Sequence, residues 1–282
     1  MSALDWLASP CGNSPQALVV VAHPDDEIAG AGARLAELRG SIVHLTDGAP
    51  RDPWFAARAG CGSREAYAAL RRRELDAAMA LAGVAASRLV ALGAIDQEAA
   101  FELERLTRAV EELLARERPR FVLTHAYEGG HPDHDAAAFV VRHAIARARA
   151  AVEVIELAGY HEQDSAIAAG RFLPAPGAQA PLEVCLDGAA QARKRRLLDC
   201  FASQREVLAR FSVEVERYRR APRYRFDEPP HAGRLHYERF GWPLDGERWR
   251  ALARDAALAL GHDSPRAGSR ARSRSRSRSS QR

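Results

Sequence analysis

The chain has 282 residues, of which 47% are hydrophobic and 28% are charged, and its formal net charge is +4. This length and apolar content suffice for a large core, and no apolar run is long enough to predict a membrane span. The first residues, MSALDWLASPCGNSPQ, lack the basic and apolar regions of a secretory signal. The four cysteines form no Cys-x-x-Cys pair, which favours free thiols over disulfides or a cysteine zinc site. We therefore expect a cytoplasmic protein.

The basic charge is concentrated at the carboxyl end. Residues 264–282, SPRAGSRARSRSRSRSSQR, hold seven Arg and no acidic residue, so the rest of the chain carries a net charge of −3. Because this composition cannot form a core, residues 263–282 are predicted to be a disordered Arg/Ser tail. Such a tail can bind nucleic acid or another polyanion weakly, but an incidental solvated tail accounts for the composition at least as well. The sequence gives no signal for an oligomeric state.

Apolar runs and helical patterns alternate through the first half of the chain. Strands are predicted at 17–22, 41–48, 88–96, 120–126 and 152–160, and helices at 28–39, 63–82, 98–117 and 133–150. This alternation predicts an α/β fold, with a Rossmann-like, open, mainly parallel twisted sheet of order about 3-2-1-4-5 and helices on both faces.

The second half of the chain is less regular. Residues 182–187 are a candidate sixth strand, residues 188–210 have a helical pattern, and residues 213–262 are predicted to be an irregular extension rich in aromatic residues and Arg. We expect a short N-terminal segment, 1–16, before a single domain that spans 17–262.

Acidic and histidine side chains concentrate where the predicted strands end. HPDDE (23–27) follows the first strand and HPDHD (131–135) follows the fourth, and each places candidate ligands three residues apart. Strands 1 and 4 are neighbours in the predicted order, so their loops meet over one crevice. Imidazole and carboxylate ligands suit Zn²⁺, and three of them leave a position for a water that can attack a carbonyl.

Helix capping is an alternative role for the carboxylates of the first loop. Asp25 and Asp26 are suited to the start of a helix, where the dipole favours anions. Two similar loops and the cost of clustering carboxylates without a cation favour the metal. The same ligands accept Fe²⁺, Co²⁺ or Mn²⁺. Nucleotide binding is disfavoured because no G-x-G-x-x-G fingerprint follows the first strand.

At these residues the sequence resembles the LmbE-like (PIG-L) family of zinc-dependent N-acetylglucosaminyl deacetylases. The resemblance is carried by AHPDDE, TDG, RRRELDAAMALAGV and EGGHPDHDAA, and it runs from about residue 17 to FASQ near residue 205. It implies a Rossmann-like fold, one zinc ion per chain and hydrolysis of the N-acetyl group of a small amino-sugar substrate. A histidine usual in the family before the last motif is replaced here by Phe201.

The resemblance also assigns roles to residues. His23, Asp26 and His134 match metal ligands. Asp25 matches the general base that takes a proton from the metal-bound water. His131 matches the residue that steadies the tetrahedral intermediate or protonates the leaving amine.

Further positions are less sharply defined. Arg71 and Asp96 match substrate-contacting positions of the family, although Arg71 and Glu74 also suit an ion pair within a helix. Asp47 in the TDG sequence either sets a turn or orients a ligand histidine from behind. His125 is predicted to be a satisfied strand-end histidine.

The sequence thus predicts a metal-dependent N-acetyl sugar deacetylase. Two alternatives stay open: a related zinc amidase acting on a thiol-conjugate or natural-product amide, and a polyanion-binding protein with a vestigial metal site. Residues 223–242, dense in Arg, Tyr and His, suit either a cover over the site that recognises a sugar phosphate or nucleotide sugar, or a wrap without ligand contact.

Overall fold

A seven-stranded sheet lies at the centre of the structure, a computed structural model that describes residues 1–10, 12–164, 166–175 and 177–261. The predicted Arg/Ser tail lies outside the described residues. Within them, the strands are β1 (Ala17–Val21), β2 (Ile42–Thr46), β3 (Leu89–Ala94), β4 (Phe121–His125), β5 (Glu153–Leu157), β6 (Tyr160–Gln163), β7 (Ala166–Ala169), β8 (Leu182–Cys185) and β9 (Val215–Arg220).

The order of the main sheet is β3-β2-β1-β4-β5-β9-β8. Strands β1 to β5 pair in parallel, whereas β9 is antiparallel to both β5 and β8. The predicted order 3-2-1-4-5 is therefore confirmed, and two antiparallel strands extend it. Strands β6 and β7 form a separate antiparallel hairpin that the sequence analysis did not predict.

Helices cover both faces of this sheet. Within the described residues they are α1 (Ala3–Ala8), α2 (Asp26–Ala31), α3 (Pro53–Arg58), α4 (Arg64–Ala82), α5 (Leu103–Glu117), α6 (Pro132–Ala148), α7 (Gly188–Asp199), α8 (Arg205–Leu208) and α9 (Gly246–Ala259). None of them is long and apolar enough to cross a membrane.

The strongly apolar β1 explains why both faces are covered. Successive side chains of a strand point to opposite faces, so Val19 and Val21 join one core cluster and Leu18 and Val20 join the other. All five β1 residues are fully buried, as expected for a central parallel strand. The carboxyl end of β1 therefore opens onto the edge where the HPDDE sequence begins.

The helix predicted at 28–39 is shorter than expected. Helix α2 ends at Ala31, and a single 3₁₀ turn follows at Leu35–Glu37. Two glycines, Gly30 and Gly32, weaken the helix, since glycine is about 1 kcal/mol less favourable than alanine in a helix interior. Gly30 also packs where a Cβ would lie 2.9 Å from Leu157 Cβ.

The extension over 213–262, predicted to be irregular, contains strand β9 and the 14-residue helix α9 as well as irregular backbone. The sequence VERYRR of β9 did not predict a strand, because two of its three buried side chains are charged. Glu216 is 2% exposed and Arg219 is 2% exposed, and each pairs with a buried partner from elsewhere in the chain.

One of these pairs fastens α2 to the sheet. The ammonium of Lys194, on α7, donates to Glu216 Oε1 and to the carbonyl of Ala29, both at 2.9 Å. The same Glu216 oxygen accepts from the backbone N–H of Ala33 at 3.0 Å. The end of α2 is thus tied to both α7 and β9, which fixes the helix that follows the HPDDE loop.

Candidate metal centre

The loop after β1 holds Asp25 in a strained backbone conformation. Its φ of 133° and ψ of −28° lie in a region that side chains other than glycine rarely adopt, at a cost of about 1–3 kcal/mol. Asp25 occupies the position before α2, yet among the described residues its side chain makes no capping hydrogen bond to that helix. Helix capping therefore does not account for this carboxylate.

Arg71, on α4, holds this loop through hydrogen bonds of its guanidinium. Its Nη2 donates to the carbonyl of Pro24 at 2.6 Å and to Asp25 Oδ2 at 2.9 Å, and its Nε donates to the carbonyl of Gly48 at 3.2 Å. Gly48, at φ 67°, leaves room for this guanidinium, because a Cβ there would lie 2.9 Å from Arg71 Nε. The absence of a side chain at Gly48, in the TDG sequence, thus provides the space that the Arg71 guanidinium occupies.

Glu27 and His44 hold the same loop from the β2 side. Glu27 is fully buried in the first turn of α2, and its Oε2 accepts from the backbone N–H of Asp25 at 3.1 Å. His44 Nε2 lies 3.1 Å from the same Oε2. The strained backbone of Asp25 is therefore supported on two sides by buried charged or polar groups.

The loop after β4 leads into the two histidines of the HPDHD sequence, His131 and His134. His131 immediately precedes α6, and its Nδ1 accepts from the backbone N–H of Asp133 at 3.2 Å. Pro132 takes the first helical position, where its missing N–H costs nothing. Gly130 packs so tightly that a Cβ would lie 1.8 Å from the carbonyl oxygen of Tyr160.

The two loops bring the three predicted ligands together. Asp26 Oδ2 lies 3.2 Å from His23 Nδ1, and Asp26 Oδ1 lies 3.3 Å from His134 Nε2. One potential ligand atom of each of these three residues lies within 4.8 Å of the other two. Two imidazole nitrogens and a carboxylate oxygen are a donor set that zinc accepts, so these residues fit a divalent metal ion.

Asp133 lies behind His23 and was not predicted. Its Oδ2 is 3.2 Å from His23 Nε2, and the carboxylate also accepts from the backbone N–H groups of Gln97 at 2.6 Å and Ala99 at 3.0 Å. A carboxylate on the far nitrogen of a ligand histidine fixes the ring orientation. The available signal was its place inside HPDHD, which the sequence analysis used only for the two histidines.

His125 also belongs to this centre, rather than being only a satisfied strand-end histidine. Its Nε2 lies 3.1 Å from Asp26 Oδ2, and its ring stacks on His134 with centroids 3.9 Å apart. The sequence around His125 did not predict this contact, because the contact depends on the pairing of β1 with β4.

Asp96, the predicted substrate contact after β3, lies at the same edge. Its Oδ1 is 3.1 Å from His23 Nε2 and 3.7 Å from His131 Nε2. Together with Asp133 these residues form a second group of close donor atoms that shares His23 with the first. Asp96 is partly exposed and so remains open to a ligand entering the centre.

Arg71 and Asp47 both contact the loops that border the centre. Arg71 is 1% exposed, and its guanidinium donates to Asp25 Oδ2, so its contact with a substrate stays a prediction. Asp47 accepts from the backbone N–H of Ala49 at 3.0 Å and pairs with Arg64 at 2.6 Å, away from the ligand histidines. Asp47 thus makes the turn contact that was one of its two predicted roles, and Arg64, in the first turn of α4, pairs with its other carboxylate oxygen.

Burial and neighbouring charge set the protonation of the centre. Burial raises the pKa of Asp25 to about 7, although the Arg71 guanidinium lowers it. Burial alone would raise the pKa of Asp26, but His134 and His125 outweigh it and hold that pKa well below its usual range. Burial, with a contribution from His125, lowers the pKa of His134 to about 4, so its imidazole is neutral, as a metal ligand must be.

The fold and these donors define an α/β protein with a candidate metal centre at the carboxyl ends of β1 and β4, the switch point of the sheet. The family model PIG-L, described as GlcNAc-PI de-N-acetylase, matches residues 18–145, which include both His-Pro-Asp loops. Residues 18–145 thus match the PIG-L (LmbE-like) family, and over these residues the resemblance recognised in the motifs is confirmed.

Similarity to individual proteins is more distant. The chain is 30% identical over 149 residues to the 1D-myo-inositol 2-acetamido-2-deoxy-alpha-D-glucopyranoside deacetylase 2 of Catenulispora acidiphila, covering 44% of this chain and 49% of that protein. The match thus spans about half the length of that relative.

Solved structures share the fold. The deacetylase Dbv21 of the A40926 pseudoaglycone has a TM-score of 0.57 and 20% identity, covering 76% of this chain and 99% of that one. GalB, the 4-carboxy-2-hydroxymuconate hydratase from Pseudomonas putida KT2440, has a TM-score of 0.52 and 19% identity, covering 75% and 98%. Because a deacetylase and a hydratase both share it, the fold alone does not select the reaction.

Proposed function

We propose that this protein is a metal-dependent hydrolase that removes the N-acetyl group from an N-acetylglucosamine-type sugar or conjugate. The convergence of His23 Nδ1, the Asp26 carboxylate and His134 Nε2, at 3.2 and 3.3 Å, carries the proposal. The PIG-L domain and a relative named as an acetamido-sugar deacetylase support it. Zinc is the first candidate for the metal, with Fe²⁺, Co²⁺ and Mn²⁺ as alternatives.

A divalent ion bound by these three residues would lower the pKa of a water molecule and polarise the amide carbonyl. The chain itself supplies the base. Asp25 follows His23 and Pro24, and its carboxylate is held at 2.9 Å by Arg71. A pKa near 7 suits a general base that works at neutral pH, and Asp25 is proposed to take the proton of the attacking water.

The tautomer of His131 favours one of its two predicted roles. Because Nδ1 accepts the backbone N–H of Asp133, the ring proton of the neutral imidazole is on Nε2. Burial, together with His23 and His134, lowers the pKa of His131 well below its usual value. A neutral Nε2–H donates a hydrogen bond to the oxygen that gains charge when the amide is attacked, so we assign His131 to stabilising that oxygen.

Asp25 then accounts for both proton transfers of the reaction. Attack of water on the acetyl carbon releases one proton to the Asp25 carboxylate, and cleavage of the C–N bond requires one proton on the leaving nitrogen. Asp25, now protonated and beside the same centre, returns it to the amine. The products are acetate and the free amino sugar, and the cytoplasm stays the predicted location of the reaction.

The test combines metal content with acetate release. Purified, metal-supplemented protein is assayed with N-acetylglucosamine, its phosphate, a nucleotide sugar, a lipid-linked form and a thiol conjugate. We expect one metal ion per chain and chelator-sensitive acetate release from at least one amino sugar. Absence of bound metal in folded protein would refute the proposal, and release from the thiol conjugate alone would favour the zinc amidase alternative.

Three variants separate the roles. Asp25→Asn is expected to keep the metal and lose turnover by at least about a hundredfold, as for removal of a general base. His134→Ala is expected to lose both metal and turnover. Asp76→Asn serves as the control, because this exposed carboxylate pairs with Arg72 on the surface of α4. Near-normal turnover of the metal-loaded Asp25→Asn protein would remove Asp25 as the base.

A further inference from the structure

A row of aromatic side chains borders the candidate metal centre. We call these four residues the aromatic arc: Tyr160, His236, Phe240 and Trp242. Successive ring centroids along it are 5.9, 5.0 and 5.0 Å apart. One end of the arc reaches the HPDHD sequence at His134, 5.1 Å from Tyr160, and the other reaches it at His131, 5.1 Å from Trp242.

The arc is held in place by the loop it borders. The backbone N–H of His236 donates to the carbonyl of Gly129 at 2.9 Å, and a Cβ at Gly129 would lie 2.7 Å from Leu235 Cδ2. Between the arc residues, Arg239 forms an ion pair with Glu162 of the β6–β7 hairpin. These contacts join the extension to both the HPDHD loop and the hairpin, so the rings are presented on a fixed support.

The arc leaves apolar surface open to solvent beside a polar centre. Phe240 is 52% exposed, and Trp242 is only partly buried although its ring touches His131. Phe240 and Trp242 stack with an interplanar angle of 28° and form one broad apolar surface. An open aromatic surface next to a few convergent polar groups is typical of a small-molecule site.

We propose that the aromatic arc is the subsite for the sugar ring that bears the amide, with the apolar C–H face of the pyranose packed on Trp242. This inference rests on the proposed function and names how its substrate is recognised. The amide carbon must lie within the group formed by His23, Asp26 and His134, and the ring is one bond from the amide nitrogen. Trp242 lies beside His131, with ring centroids 5.1 Å apart, so a sugar ring attached to that amide can pack on it. A flexible acyclic amine would leave the Trp242 surface uncovered.

Two features restrict the occupant to a ring with an apolar face. A stacked aromatic surface buries a flat C–H face without any polar partner. The two charged residues between His236 and Trp242 are already engaged, since Arg239 pairs with Glu162 and Glu238 accepts from two backbone N–H groups. All four arc residues lie outside residues 18–145 matched by the family model, so the arc belongs to the part of this chain that the family match does not describe.

The test compares Trp242→Ala with Trp242→Phe in metal-loaded protein, using the methyl glycoside of N-acetylglucosamine. Covering about 50 Å² of apolar surface corresponds to roughly a tenfold change in affinity. Trp242→Ala is therefore expected to raise KM about tenfold with kcat less affected, and Trp242→Phe to recover most of the loss. Leu81→Ala is the control. Leu81 is an apolar residue that is 44% exposed, and it lies on α4, ten residues after Arg71.

A binding measurement separates this inference from the proposed function. The same glycoside is titrated into metal-loaded Asp25→Asn protein with and without Trp242→Ala. About tenfold weaker binding in the double variant supports the subsite, and equal binding overturns it, as does a complete absence of binding to Asp25→Asn. Binding that depends on Trp242 without acetate release by the unsubstituted protein would overturn the proposed function and leave the subsite standing.

Discussion

Replacing Arg71 with methionine removes the cation from a carboxylate that the fold keeps buried. Arg71 is 1% exposed and Asp25 is 7% exposed, and their side chains meet at 2.9 Å. Arg71 also satisfies the carbonyls of Pro24 and Gly48. Methionine has a similar length but no donor, so Arg71→Met leaves one charge and two carbonyl oxygens without this partner.

The expected cost depends on pH. Burial holds the pKa of Asp25 at about 7, above the value of roughly 3.9 in an unfolded chain. The native state therefore binds more protons than the unfolded state over this range, and this carboxyl lowers stability as pH rises from about 4 to 7. Arg71 opposes the shift, so its loss raises the pKa further and extends the fall in stability above pH 7.

The loss in free energy of unfolding follows from the groups that Arg71→Met leaves unpaired. At pH 5 Asp25 is protonated, and Arg71→Met costs about 1–3 kcal/mol for the lost hydrogen bonds. At pH 8.5 the cost rises to about 3–5 kcal/mol, the usual effect of removing one partner of a buried ion pair. This is a large part of a typical domain stability of about 5–15 kcal/mol.

The assay is urea unfolding of metal-free protein at both pH values. Arg72→Met is the matched control, because Arg72 is the next residue of α4 and pairs with Asp76 on the surface. We expect the control to change stability by less than about 1 kcal/mol, and Asp25→Asn combined with Arg71→Met to lose the pH-dependent part. Equal effects of Arg71→Met and Arg72→Met at both pH values would refute this reasoning.

The same variant distinguishes positioning from substrate contact. If Arg71 acts through Asp25, acetate release by metal-loaded Arg71→Met protein should show a fall in kcat of about a hundredfold with KM nearly unchanged. A raised KM with kcat preserved would restore Arg71 to the substrate-contacting role that the sequence predicted.

Three further outcomes follow from the structure. Asp133→Asn replaces the carboxylate that contacts His23 Nε2 with an uncharged amide, and it is expected to lower metal affinity about 10–100-fold in a chelator competition. Unchanged metal affinity would argue against orientation of the His23 ring by Asp133. Gly130→Ala places a Cβ 1.8 Å from the carbonyl oxygen of Tyr160, so we expect a loss of about 3 kcal/mol or more in thermal unfolding, and wild-type stability would contradict the packing. Removing the metal with a chelator should abolish acetate release and adding Zn²⁺ should restore it, whereas chelator-resistant turnover would contradict a metal-dependent reaction.

The sheet order was predictable because its central strands carry their own signal. Strand β1 is apolar at every position, so alternation with helices was enough to predict a parallel sheet and the neighbours of β1. Strand β9 gave no such signal, because Arg219 is buried against partners distant in the sequence, among them Glu156, 63 residues away, and Glu128, 91 residues away. A charged residue is read as exposed unless its distant partner is known.

The same limit applies to the candidate site. The proximity of His23, Asp26 and His134 was predictable because two similar short sequences follow two neighbouring strands. The supporting contacts were not, since the pairing of Arg71 with Asp25 spans 46 positions and depends on where α4 crosses the sheet. Spacing within a helix suggested a pair between Arg71 and Glu74, and at 3.6 Å that contact is the longer of the two.

The buried ion pair of Lys194 and Glu216 has a consequence for chemical labelling. Lys194 is the one lysine of the sequence, and its side chain is fully buried between α7, β9 and the end of α2. Amine-directed acylating reagents reach this nitrogen only when that junction opens, because acylation needs a deprotonated, accessible amine. The rate of acylation at Lys194 therefore reports how often the support beneath the HPDDE loop comes apart in the folded protein.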